Sequence, residues 1–129
     1  MSFVVTQVGQ EYFLQLITSE ILLLHLYQNN WTPSYTDVVT NYTELAYYGY
    51  APKLLTPSEW VIQVNVLNGD YYATFAQQSF NFVDPITVYG YYITDQYSGK
   101  LLLAERFVNA PIVLQPNGSV NITPTIGAM

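Results

Sequence analysis

The sequence predicts a mainly β domain of the α+β class: an antiparallel β-sandwich or barrel-like arrangement with two short helices near the N-terminus. Three observations predict it. Apolar and aromatic residues alternate in several segments after Glu59, turn signals such as "NGD", "DQYSG" and "PNG" separate those segments, and helical spacing is confined to the stretch before Ala46.

The first helix is read from "GQEYFLQLITSE". Tyr12, Phe13, Leu16 and Ile17 recur at spacings of one, three and four, and Glu11 sits near the start, where a carboxylate favours the helix dipole. "ILLLHLYQ" is too short an apolar run for a typical helix and is closed by the turn cluster "NNWTP", so it reads as a buried strand. In "SYTDVVTNYTEL" a second helix is expected, with Ser34 as N-cap, Asp37 in the first turn, and Val38, Tyr42 and Leu45 on one face. Gly49, Pro52 and Pro57 then punctuate an irregular connection with an edge strand at Lys53 to Leu55.

From Glu59 the period becomes two. Trp60, Ile62, Val64 and Val66 point one way, Gln63 and Asn65 the other, and "NGD" turns the chain into a partner strand in "YYATFAQQSFNF". "ITVYGYYIT" and "KLLLAERF" make a second hairpin through "DQYSG". "SVNITPTI" is the last strand, with Pro124 marking an edge or an end. The expected pattern is six or so strands, mostly in sequential hairpins, within a single domain spanning 1–129.

Composition narrows the function classes. The chain is 50% hydrophobic and 16% aromatic but only 9% charged, whereas soluble surfaces usually carry roughly 25–35% charged side chains. Neutral polar residues and 13 Tyr supply part of the cover, and a partner chain is expected to supply the rest. Net charge is -6 with only Lys53, Lys100 and Arg106 basic, which leaves no stripe for a phosphate backbone and argues against direct nucleic-acid binding. The same deficit argues against an anionic membrane surface, and the longest pure apolar run, Ile21 to Leu24, is far short of the ~20 residues that span a bilayer. No secretory signal is read at the start, and the absence of Cys removes disulfide and thiolate chemistry. The four Asn-x-Ser/Thr matches, at Asn30, Asn41, Asn117 and Asn121, are expected from chance in a chain rich in Asn and Thr.

Little in the sequence points to catalysis, and no cofactor or metal is expected. The lone His25 shares the register of Ile21, Leu23 and Tyr27, reads as a strand histidine satisfied by local partners, and lacks co-ligands for zinc. The nine acids are scattered, mostly at element ends and turns, where carboxylates cap and solubilise. Gly90 inside "YGYY" marks a bend or a close approach. Glu105 and Arg106 are adjacent, so on a strand they point to opposite faces and each needs its own partner, with a carboxylate from another strand or subunit expected for Arg106.

The succession "LHLYQNNWTP", "YTELAYYGYAPKLLTPSEW", "YYATFAQQSFNF", "VYGYYITDQYSGKLLLAERF" and "VNITPTI" resembles a group of small structural proteins of tailed bacteriophages, cyanophages in particular, over Leu24 to Ile126. The resemblance implies a virion component, above all a capsid cement or decoration protein that trimerises on the outer capsid surface and clamps neighbouring major capsid subunits. Synthesis would then be in the host cytoplasm, and no catalytic residues are implied. A tail, neck or fibre-associated protein is the nearest alternative. A carbohydrate-binding β-sandwich module, with Trp31 as the stacking platform and Trp60 in the core, is the alternative from another class. The hairpin Val88 to Phe107 is apolar on both faces; one is expected to belong to the core and the other, with Tyr89, Tyr91 and Arg106, to a subunit interface. Trp31, Tyr47 and Tyr48 are the further interface candidates.

Overall fold

The computed structural model describes residues 3–127. It is mainly β with one N-terminal α-helix, α1 (Gln7–Thr18), and several antiparallel sheets, none closed into a barrel. The Thr6 hydroxyl caps α1 by accepting from the Gly9 amide at 3.1 Å. The strands among the described residues are β1 (Leu22–Tyr27), β2 (Lys53–Leu55), β3 (Val61–Val64), β4 (Tyr71–Thr74), β5 (Gln78–Asn81), β6 (Ile86–Val88), β7 (Gly90–Asp95), β8 (Leu101–Arg106), β9 (Ile112–Leu114), β10 (Ser119–Ile122) and β11 (Thr125–Ile126).

The largest sheet has the order β2-β1-β7-β8; a second has β11-β4-β3; β10 pairs with β5, and β6 with β9. Local hairpins join only β3 to β4 and β7 to β8, while the remaining pairings connect strands distant in sequence. The expectation of mostly sequential hairpins is therefore corrected. "YYATFAQQSFNF" breaks after Thr74, so that β4 stays with β3 and β5 crosses to β10. "ITVYGYYIT" breaks at Tyr89, sending β6 to β9 and β7 into the large sheet. Pro124, which has no N–H to give, separates β10 from β11, and its carbonyl takes the Phe75 amide at 3.0 Å. One buried cluster unites the sheets: Leu22, Leu24 and Ile93 from the large sheet meet Ala73, Phe80, Val88 and Val120 from the other three.

Two helical expectations change. No α-helix forms in "SYTDVVTNYTEL", which holds only a 3-10 turn at Val39–Asn41. Its Thr, Val and Tyr residues are weak helix formers, and Ser34 is not an N-cap: its amide donates to Asp37 Oδ2 at 2.9 Å, as do Trp31 Nε1 at 2.9 Å and the Tyr42 hydroxyl at 2.7 Å. α1 exists, but its expected apolar stripe is not its buried face. Gln10, Leu14 and Thr18 are buried and Ile17 packs on the core, whereas Tyr12, Phe13 and Leu16 face outward. Gln10 is held there by polar partners, accepting from the Tyr71 amide at 2.9 Å and donating to Asp70 Oδ1 at 3.2 Å. The Thr18 hydroxyl returns to the Leu14 carbonyl at 2.7 Å.

Candidate functional site

The second face of the β7–β8 hairpin is covered by the chain itself. Side chains alternate along β1 and β7, so Leu24, Leu26, Tyr91 and Ile93 enter the main core while His25, Tyr27, Tyr92 and Thr94 lie on the other face. Over that face folds the segment from Gln28 to Glu44, whose Tyr42 packs with Tyr27 and Tyr92 at centroid distances of 5.0 and 5.2 Å. Trp31, Tyr89, Leu101 and Ala104 close around this second cluster. Gly90 is what lets it close: a Cβ there would collide with the Glu105 carbonyl and lie 2.6 Å from the Tyr27 ring. Burial raises the Tyr92, Tyr42 and Tyr27 phenols, and Asp37 pushes Tyr42 further in the same direction.

Beside the cluster runs a hydroxyl–imidazole–carboxylate chain. Thr94 Oγ1 lies 2.8 Å from His25 Nε2, and His25 Nδ1 lies 2.7 Å from Glu44 Oε2. Glu44 Oε2 also accepts the Tyr50 hydroxyl at 2.7 Å, and the Tyr50 oxygen in turn accepts the Leu26 amide at 2.9 Å. That last bond has a structural reason. On its outer side β1 is paired by β2 at Leu22–Leu24 and by Thr43–Leu45 near Tyr27, and the phenol satisfies the strand amide in the gap between them. Burial alone would raise Glu44, but the hydrogen bonds from His25 and Tyr50 outweigh it and hold the carboxyl below its usual range. The spacing resembles a nucleophile relay, yet Thr94 is 4% and His25 8% exposed. A substrate must place its reacting atom against the hydroxyl, and here that position is filled by the fold. The chain of bonds is a brace between the large sheet and the segment that covers it.

The expected interface residues are placed unevenly. Tyr89, Arg106 and Trp31 come together: the Arg106 guanidinium carbon stands 5.3 Å from the Tyr89 ring centroid, and Nη1 donates to Asn30 Oδ1 at 2.8 Å and to the Trp31 carbonyl at 3.2 Å. Arg106 thus takes neutral acceptors within its own chain, where a carboxylate was expected. Tyr91 is only 6% exposed and lies in the main core, its phenol pushed up to about 12 by burial and by Glu105 opposite. Tyr47 is half-buried elsewhere, edge-on to Phe82, with its hydroxyl donating to Asp84 Oδ2 at 3.2 Å and accepting the Asp84 amide at 3.0 Å. Tyr48 is 100% exposed beside Gly49. Trp31 is no free platform, since its indole is fixed by Asp37 and packed on the tyrosine cluster. Trp60 packs on the core against Phe75 at 5.2 Å.

Sequence reasoning missed the outward apolar surface. Val8, Tyr12, Phe13 and Leu16 on α1, with Phe3 and Val4 before it, are exposed, as are Ile21, Leu54 and Leu102 on or beside the large sheet. A helical wheel finds the α1 stripe; what it cannot tell is that polar Gln10 and Thr18 turn the opposite side inward. Among the described residues no helix is long and apolar enough to cross a membrane, and no cluster of three or more His, Cys, Asp or Glu residues is placed to hold a metal.

Compared with protein-family models, with curated proteins and with solved structures, the chain matches none.

Proposed function

We propose that the chain is a non-enzymatic structural subunit of a virion: a cement protein that trimerises on the outer capsid surface and ties neighbouring major capsid subunits together. The observation that carries this reading is the outward apolar face of α1 and its flanks in a chain with only 9% charged residues. A free monomer gains nothing from keeping Val8, Tyr12, Phe13 and Leu16 in water, whereas a subunit in a symmetric lattice buries such a face once per copy. The burial of Thr94 and His25 supports a structural role for the polar chain, and the resemblance to small phage structural proteins read in the sequence suggests the setting.

Native mass spectrometry of the recombinant protein, followed by its addition to expanded phage capsids, tests the proposal. A trimer that binds the shell and raises its disruption temperature is the expected result. A monomer that leaves the capsids unchanged contradicts it. Localisation at one vertex or the tail in labelled particles would favour the neck, tail or fibre alternative.

A further inference from the structure

We propose that the open edge of β8 is a strand-addition site for an extended, basic and apolar segment of a different protein. This goes beyond the capsid reading and depends only on the sheet edge. Among the described residues β8 ends the large sheet with no strand beyond it, and its first four residues, Leu101 to Ala104, carry no charge and no proline to discourage pairing.

The edge is flanked by a cleft on each face. On the tyrosine-cluster side one of about 350 Å³ lies between Leu101–Ala104 and Pro33, Tyr35, Asp37 and Tyr42. On the core side one of about 430 Å³ lies between Leu102–Glu105 and Ile17, Tyr91 and Ile126. A strand laid along β8 sends alternate side chains to opposite faces, so one set enters each cleft while the backbone makes the ladder. The core-side cleft is mostly apolar, with Glu105 and Thr125 in its lining; the other counts Asp37 among its lining residues.

Charge decides the occupant. Along the edge and the hollows around it stand Asp37, Glu20, Asp95 and Glu105 against two cations, Lys100 and Arg106, and Arg106 is turned to Asn30 and the Trp31 carbonyl. A second copy brings a further -6 and few cations. Two β8 strands paired about a twofold axis match residues an even number apart, so Lys100 never faces Glu105, and the register centred on Leu103 sets Lys100 against Arg106. A heterologous strand alternating apolar with Lys or Arg residues meets both clefts.

The probe is a fluorescein-labelled hexapeptide alternating Lys and Val, titrated into the full chain by anisotropy, with a Glu–Val peptide and two N-methylated forms, one on every Lys amide and one on every Val amide. Saturable binding is expected, with the Glu–Val peptide and one N-methylated form each about tenfold weaker or worse, and the other N-methylated form within about twofold, because only one set of amides faces β8. Asp37→Asn should weaken the Lys–Val peptide and not the Glu–Val one. Absence of binding at ~1 mM peptide, or equal loss from both N-methylated forms, overturns the proposal. So does protection from exchange, in protein without peptide, of the β8 amides that face away from β7, which would give the edge to a second copy. None of these results depends on capsid binding, so the two proposals fail separately.

Discussion

His25 and Tyr92 face each other across β1 and β7 with ring centroids 4.5 Å apart and planes 9° from parallel. The stack leaves both imidazole nitrogens pointing along the ring plane, one to Thr94 and the other to Glu44. One side chain thereby joins the sheet to the segment that covers its second face. Replacing His25 with Phe keeps the stack and strands both partners, and a loss of about 2 kcal/mol in urea unfolding is expected. A variant as stable as the parent would show that the polar chain contributes nothing.

Glu44, Asp37 and Asp95 are all held below the usual carboxylate range: Glu44 by its hydrogen bonds to His25 and Tyr50 against the opposing effect of burial, Asp37 by those from Trp31, Tyr42 and Ser34, Asp95 by those from Ser98. A depressed folded-state pKa contributes stability that is complete above the unfolded value and is lost as pH falls through the folded one. The melting temperature should therefore drop as pH is lowered below about 5. Glu44→Gln should flatten that slope, as differential scanning fluorimetry across pH would record.

At the alkaline end the sign reverses. The fold holds Tyr27, Tyr42, Tyr50, Tyr91 and Tyr92 neutral, each raised first by burial. Stability from a raised phenol is full below about pH 10 and is lost as pH climbs through the folded value. A spectrophotometric titration should show five of the 13 tyrosines ionising late, together with loss of structure. One smooth transition of all of them near pH 10 would contradict this placement.

Gly90→Ala should cost about 3 kcal/mol, because the added carbon meets the Glu105 backbone and the Tyr27 ring and neither can withdraw. Gly49→Ala is the control. Its φ of +91° strains the new residue, but nothing lies within 4 Å, and about 1 kcal/mol is expected. Equal losses in denaturant melts would mean that φ, rather than close approach, governs both sites.

The Trp60 indole N–H is buried without an acceptor. Trp60→Phe removes that donor while keeping an aromatic ring against Phe75, so the stability change should stay below about 1 kcal/mol. A much larger loss would show that the indole's volume matters more than its unpaired donor.

Period-two alternation and turn residues made the β3–β4 turn and the β7–β8 hairpin legible, a short apolar run closed by a turn cluster showed β1, and Gly and Pro punctuation set off the edge strand β2, since each announces itself within a few residues. Gly90 was legible for the same reason: a glycine amid tyrosines asks for close approach. The β5–β10 and β6–β9 pairings were not, because no local pattern records which distant strand a short segment meets. The inward side of α1 was hidden by Gln10 and Thr18, polar residues buried because their hydrogen bonds are met. The cover of the second hairpin face lay in the stretch read as a helix, where Asp37 gathers three donors in a loop that propensity alone does not foresee. The expectation that a partner must cover that face followed from counting apolar residues without the fold-back of Tyr42 and Trp31.

The central claim is that this chain is a repeated part of a capsid. Its copy number per purified particle, measured by quantitative mass spectrometry against the major capsid protein, tests that claim most directly. A subunit that decorates the shell by symmetry should be present in hundreds of copies, roughly in fixed proportion to the capsid protein. About a dozen copies or fewer, or its absence from purified particles, would contradict the account.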